Sequence, residues 1–168
     1  MKELRAACID ADARNERIFE RLFSQPFMNS ESFFVYLSFG NEVDTKRIIQ
    51  ELLLRNKAVY VPRVRGRSMS LVRYTGQALT AGAFGIEEAE GESESVIPEV
   101  CLTPLLAADR RCARLGFGGG FYDSWFADKQ IYKAGLAFSF QIIESVPVES
   151  TDVFLDAVVT DRETIYRR

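Results

Sequence analysis

The sequence predicts an α/β fold in three layers, α/β/α, with a mostly parallel, Rossmann-like sheet between two layers of helix. Three observations lead there. Short apolar runs of strand length alternate with segments of helical periodicity along most of the chain. Residues 33–64 read strand, helix, strand, a βαβ unit. A loop with four glycines in five residues, Gly116 to Gly120, then joins an apolar run to an aromatic, helix-prone segment. The 168 residues suit a single domain, residues 1–168, with a sizeable core; 47% apolar and 27% charged is ordinary for a globular chain.

The elements follow in order. Residues 3–23 place Leu4, Ala7, Cys8, Ala11, Ile18 and Leu22 at roughly helical spacing among charges, so an amphipathic helix is expected, weakest over Ala11–Asn15. Ser24–Ser32, with Pro26, is a linker. Phe33–Phe39 has the apolar content and length of a buried strand. Asp44-Thr45 resembles an N-cap, and Ile48, Ile49, Leu52 and Leu53 mark the apolar side of a helix ending near Asn56. Ala58–Val64 is a second strand and Met69–Tyr74 a third. Residues 75–95 hold four glycines and an acidic run (Glu87, Glu88, Glu90, Glu92, Glu94), read as a long surface loop, either a solvated face or a lid. Val100–Leu106, interrupted by Pro104, is a central strand leading into the glycine loop, and Phe121–Asp128 is the next helix. Lys133–Phe138 and Asp156–Thr160 close the sheet, with Ile165-Tyr166 one strand more.

Composition excludes several classes of function. A net charge of −3 argues against a broad nucleic-acid or acidic-membrane surface, and no window approaches the apolar length of a membrane span. Met-Lys-Glu-Leu-Arg at the start lacks the apolar core of a signal peptide. Cys8, Cys101 and Cys112 form no Cys-x-x-Cys pair and read as reduced thiols, hence a cytoplasmic protein. Histidine is absent, which removes Ser-His and Cys-His nucleophiles and most zinc hydrolases. Phosphoryl transfer survives, because it relies on positioning, cations and metal. A monomer acting on small molecules is the expectation.

The most informative stretch is Arg114-Leu-Gly-Phe-Gly-Gly-Gly-Phe-Tyr-Asp123. A glycine-rich loop opening into a helix turns backbone N–H groups toward one spot suited to an anion, typically phosphate. Arg114 offers a forked cation to that anion, and Asp123 a carboxylate able to hold a divalent metal against phosphate oxygens. It is neither a Walker A loop nor the dinucleotide fingerprint, since no Gly-Lys-Ser/Thr follows and Phe121 stands where a third spaced glycine is needed. On spacing alone, a tight turn with Arg114 and Asp123 as a surface pair explains it equally well.

That stretch resembles the signature of the 5-formyltetrahydrofolate cyclo-ligase (5,10-methenyltetrahydrofolate synthetase) family, and the similarity extends from about Phe33 to Thr160. Leu37-Ser-Phe-Gly-Asn-Glu42 is similar to the family's Leu-Ser-x-x-x-Glu segment; Val61-Pro62-Arg63 to its Pro-Arg pair; Leu4-Arg5 to the end of its Lys-x-x-Leu-Arg segment; Phe154-Leu-Asp156 to its closing strand. The resemblance implies ATP- and magnesium-dependent cyclisation of 5-formyltetrahydrofolate to 5,10-methenyltetrahydrofolate, with ADP and phosphate released. It implies an ATP site formed by Lys2, Arg5, Arg114, Leu115, Gly116, Phe117, Gly118, Gly119, Gly120, Phe121 and Tyr122. Arg114 and Asp123 are then the catalytic pair. Leu37, Phe39, Glu42, Arg63 and Phe121 contact the folate, and Asp123 with Asp156 holds Mg2+. A non-catalytic nucleotide- or folate-binding protein on the same fold, or another small-molecule kinase, are the alternatives.

The chain departs from the family pattern at several points. Ala108 replaces a phenylalanine, Cys112 a glycine and Phe121 a tyrosine; Thr151 occupies the usual histidine position; Lys2 is one residue displaced. Segment 83–88 echoes a Gly-Ile-x-Glu-Pro element with Ala89 in place of the proline, and no chemistry is assigned to it. Phe121 keeps an aromatic face and loses a hydroxyl, a hydrogen bond worth roughly 0.5–1.5 kcal/mol.

Overall fold

The sheet is built outward from β1 (Ser32–Val35), a short strand buried along nearly its whole length. In the computed structural model, which describes residues 1–82 and 85–168, β1 pairs in parallel with β2 (Ala58–Arg65) on one side and β7 (Val100–Thr103) on the other. β10 (Tyr132–Leu136) and β11 (Ala157–Val159) continue the parallel order beyond β7. Antiparallel strands close both sides: β12 (Thr164–Tyr166) beside β11, and β3 (Ser68–Tyr74) then β6 (Ser93–Glu94) beyond β2. Among the described residues the order is β12-β11-β10-β7-β1-β2-β3-β6.

Alternation along the strands divides the core between two faces. Phe33, Val35, Val59, Val61, Val100 and Leu102 pack against α2 (Ala11–Phe23), through Ile18 and Leu22, and against α3 (Lys46–Leu54), through Ile48, Ile49 and Leu52. The residues between them, Phe34, Tyr60 and Cys101, pack against Trp125 and Phe126 of α4 (Phe121–Phe126). Leu105, Cys112, Leu155, Val158 and Ile165 form a further cluster toward β12. Helices thus cover both faces of a mostly parallel sheet, the fold class expected from the sequence.

Details differ from the sequence reading. The helix expected over 3–23 is broken between α1 (Lys2–Ala6) and α2, and Ala11–Asn15, taken as its weak point, is helical. The break falls at Ala7–Asp10, where Ile9 projects fully into solvent. Asp10 there anchors the first turn of α2 by accepting from Arg14 Nε at 2.7 Å. The linker contains a 3-10 turn, Pro26–Asn29, that buries Met28. β1 stops at Val35 because residues 36–38 bond to the approach to α3: Thr45 Oγ1 donates to Tyr36 O at 2.7 Å and accepts from Ser38 N–H at 3.0 Å. Thr45 is therefore the N-cap by position only, and Asp44 accepts the Lys46 N–H at the helix start.

The largest correction concerns residues 75–95. They are not a long surface loop: β4 (Leu79–Ala81) and β5 (Glu87–Ala89) form an antiparallel hairpin, and β6 joins the main sheet. Glu88, in the acidic run, is 6% exposed. Its carboxylate accepts from Val64 N–H at 3.1 Å and pairs with Arg65 at 2.7 Å. Ala83 and Phe84, at the start of the family-like segment 83–88, lie outside the described residues.

Candidate active site

A cleft of about 1510 Å³ opens at the carboxyl ends of the central parallel strands, where ligands of open α/β sheets are bound. Its lining includes Leu37 and Glu42 after β1, Pro62 and Val64 on β2, Pro104 after β7, and the glycine loop 116–120. The loop is presented by a short hairpin of β8 (Ala107–Ala108) and β9 (Arg114–Leu115).

The turn of that hairpin is held by Asp109. Its buried carboxylate accepts from the N–H groups of Arg111, Ala113 and Val146 and from the Arg111 guanidinium. Burial opposes ionisation of Asp109, but these donors outweigh it and hold the carboxyl below its ordinary pKa. Cys112, in the same turn, has φ +63, the left-handed region, where a non-glycine residue costs about 1 kcal/mol. That conformation suits the glycine which the resemblance implies at this position. Burial, then the Asp109 charge, pushes the Cys112 thiol up to about 11.

Arg114 leaves β9 with its side chain buried and donates to Asp123 Oδ2 at 2.7 Å, its guanidinium lying 5.5 Å from the Tyr122 ring centre. A Cβ on Gly116 would stand 2.9 Å from Arg114 Nη1, so glycine lets the guanidinium lie against the loop. Gly120 precedes α4 at φ +64, the positive φ that glycine takes without strain. Asp123 in the first turn of α4 also accepts the Val153 N–H at 3.3 Å, which ties segment 147–153 to the loop as one wall of the cleft. Arg114 and Asp123 thus form the ion pair of the tight-turn alternative, with the Arg114 side chain buried rather than at the surface.

Helix α1 brings two more cations. Lys2 and Arg5, three residues apart and so on one face, both lie over the Phe117 ring, at 5.7 and 5.4 Å from its centre. Arg5 is only 8% exposed, makes no ion pair among the described residues, and its Nε is buried without a hydrogen-bond partner. A buried cation of this kind is costly unless a negative group completes it. Arg114 Nε is likewise unpartnered.

On the opposite wall Leu37 is buried and Phe39 stands exposed beside the opening. Glu42 Oε2 accepts the Phe39 N–H at 3.0 Å. Burial pushes the Glu42 pKa up, countered in part by that bond and by Arg5. Tyr36, whose hydroxyl donates to Val43 O at 2.8 Å, is raised well above the ordinary phenol value, chiefly by burial.

Lys2, Arg5, Leu37, Phe39, Glu42 and every residue from Arg114 to Asp123 therefore line one cleft. Two residues chosen from the sequence do not. Arg63 sits between Pro62 and Val64, which face the cleft, so strand alternation turns it away; it donates instead to Ala89 O and Gly91 O and holds the β5 segment. Asp156 precedes β11 and is engaged elsewhere, accepting from Lys133 N–H at 2.7 Å and pairing with Lys133 Nζ at 3.3 Å. It does not meet Asp123. Among the described residues no three Cys, Asp or Glu side chains gather as a metal cage. Asp123 beside the loop still suits magnesium, which usually takes one or two carboxylates plus phosphate oxygens and water.

Sequence reasoning missed the far wall, where Val64, Met69, Ile86 and Glu88 line the cleft. Nothing in the acidic run singles out Glu88; the signal is its pairing with Arg65 across two hairpins, which only the fold brings together. It also missed segment 147–153.

Residues 1–161 match the family model described as the 5-formyltetrahydrofolate cyclo-ligase family. The 5-formyltetrahydrofolate cyclo-ligase of Escherichia coli (strain K12) is 36% identical over 146 residues, 80% of each chain. The NMR structure of Aquifex aeolicus 5,10-methenyltetrahydrofolate synthetase superposes with a TM-score of 0.85 at 33% identity, over 99% of this chain and 88% of that one. A 5,10-methenyltetrahydrofolate synthetase from Mycoplasma pneumoniae shares the fold, with a TM-score of 0.74 at 24% identity over 95% of this chain and 93% of that one. With residues 1–161 of its 168 matched to the family's model, this chain belongs to the 5-formyltetrahydrofolate cyclo-ligase family.

Proposed function

We propose that the protein is an ATP- and magnesium-dependent cyclo-ligase that closes 5-formyltetrahydrofolate to 5,10-methenyltetrahydrofolate and releases ADP and phosphate. The observation that carries this reading is Arg5: a buried guanidinium without an ion-pair partner among the described residues, set beside a glycine loop and the Arg114 guanidinium. Such a site is incomplete until an anion enters it, and a triphosphate supplies the charge. Family membership directs the choice of acceptor.

In the reaction so read, the formyl oxygen attacks the γ-phosphorus as the bond to the bridging oxygen of ADP breaks. N10 then adds to the activated formyl carbon. The carbon–oxygen bond breaks, phosphate leaves with that oxygen, and N10 gives up its proton. Arg114, Arg5 and the loop amides stabilise charge on the transferring phosphoryl group. Arg114 also keeps the Asp123 carboxylate turned toward the loop. Asp123 would hold magnesium with phosphate oxygens, and the ion would draw charge from the phosphoryl group when bound. Leu37, Phe39, Glu42 and Phe121 orient the folate, Glu42 by accepting hydrogen bonds from an amide and amine edge. The reading is of one domain acting as a monomer in the cytoplasm, consistent with three free thiols.

The test mixes purified protein with ATP, magnesium and 5-formyltetrahydrofolate and follows the absorbance of the methenyl product. Growth of that absorbance that requires ATP and is lost in Asp123→Asn supports the assignment. A folded protein that binds ATP and yields no chromophore would be a diverged binder of nucleotide or folate.

A further inference from the structure

Phe117 is anomalous. It is an apolar ring, 48% exposed, in the middle of a loop whose neighbours on both sides are glycines and whose surroundings are cationic. It joins none of the core clusters, and Lys2 Nζ and the Arg5 guanidinium lie over its ring. Both cations lack an ion pair among the described residues. A carboxylate at position 117 would also gather them, but it would occupy their N–H donors and compete with an incoming anion. An aromatic face attracts cations through its quadrupole and leaves those donors free.

We propose that Phe117 is a positioning residue: its ring gathers Lys2 and Arg5 over the glycine loop and so couples the N-terminal helix to the phosphate end of the cleft. The proposal rests on reading that end of the cleft as the ATP site. It also gives the displaced Lys2 a function, since the spacing of three on α1 sets it beside Arg5 on one ring. Arg5 acts on the anion; Phe117 acts through Arg5 and Lys2.

The experiment compares wild type, Phe117→Leu, Phe117→Tyr, Arg5→Met and the Arg5→Met/Phe117→Leu pair in the full-length protein. Two measurements are made on each: steady-state kinetics and calorimetric binding of inorganic tripolyphosphate. Phe117→Leu is expected to raise KM for ATP and Kd for tripolyphosphate together, roughly tenfold, with kcat and KM for 5-formyltetrahydrofolate kept. Phe117→Tyr restores both, and Phe117→Leu adds much less in the Arg5→Met background than in wild type. Weakened ATP with unchanged tripolyphosphate would overturn the proposal and give the ring to the base. Full additivity of the two changes, or no effect of Phe117→Leu on either ligand, overturns it too. Wild type that binds tripolyphosphate in a Phe117-dependent way, yet never turns over ATP, would sink the proposed activity and leave the coupling standing.

Discussion

Two buried charges some way apart in the chain are treated in opposite ways. At the hairpin behind the glycine loop, Asp109 is fully buried and surrounded by donors from Arg111, Ala113 and Val146. Beneath the cleft, Arg5 is nearly as buried; its guanidinium lies over the Phe117 ring, it makes no ion pair among the described residues, and its Nε has no hydrogen-bond partner. Asp161 follows the first pattern, bonded to Ser139 N–H at 2.6 Å and paired with Arg14 at 2.7 Å. Glu42 stands nearer the second, its carboxylate accepting from the Phe39 N–H alone among the described residues. Asp109 and Asp161 are completed within the chain, whereas on the proposed reading Arg5 and Glu42 are left for a ligand to complete. Satisfaction of hydrogen bonds, rather than burial, separates the two regions.

The largest effect expected from this division is at Asp123, which belongs to the cleft although it is paired. Asp123→Asn should lower turnover by at least about a thousandfold while the melting temperature moves by only a few degrees. Assay of the methenyl product beside a thermal melt decides it, and full activity would remove Asp123 from the site. Next, Arg5→Met should raise KM for ATP by roughly thirtyfold without loss of thermal stability, because the cation it removes makes no ion pair among the described residues. A lower melting temperature with unchanged KM would place Arg5 with the structural charges.

Asp109→Asn should show the reverse. Loss of a fully bonded buried carboxylate costs about 3 kcal/mol, and roughly 9 °C in melting temperature for a chain of this length, with KM for both substrates kept. Its pH dependence has a definite sign. The folded pKa is depressed, so the stabilisation is complete above the unfolded value of about 4 and is lost as pH falls through the folded one. Acid titration of the unfolding free energy should therefore flatten in Asp109→Asn. The smallest effect is at Glu42, whose pKa is raised, chiefly by burial. The native state there holds its proton more tightly, so stability declines as pH rises from the unfolded value of about 4 through the folded one. Glu42→Gln should remove that decline and make the protein slightly more stable near neutrality, while weakening 5-formyltetrahydrofolate. A Glu42→Gln protein less stable than wild type at neutral pH would put Glu42 in the class of Asp109.

The fold was legible wherever apolar runs were long and alone: β1, β2, β7 and the helix carrying Ile48, Ile49 and Leu52 stand close to where the pattern puts them. The glycine loop, Arg114 and Asp123 were legible because glycine at close approach and positive φ leaves a mark in the sequence itself. Arg63 and Asp156 were not, for different reasons. Arg63 depends on which way an alternating strand turns it, and one residue's shift in phase reverses that. Asp156 depends on the company at the start of β11, where Lys133 from the neighbouring strand claims it. Residues 75–95 misled because acidic, glycine-containing sequence looks solvated, while the Arg65 partner that permits Glu88 to be buried lies 23 positions earlier.

Helix α1 has a property that follows from its length. Five residues cannot recover the entropy of nucleating a helix in water, so this turn exists only through what its side chains rest upon. Its few backbone bonds, Arg5 N–H to Met1 O and Ala7 N–H to Glu3 O among them, should open far more often than those of α2. Deuterium uptake at those amides is then a meter of occupancy: fast in the empty protein, slowed when an anion bridges Arg5 to the loop, and readable by mass spectrometry without any turnover.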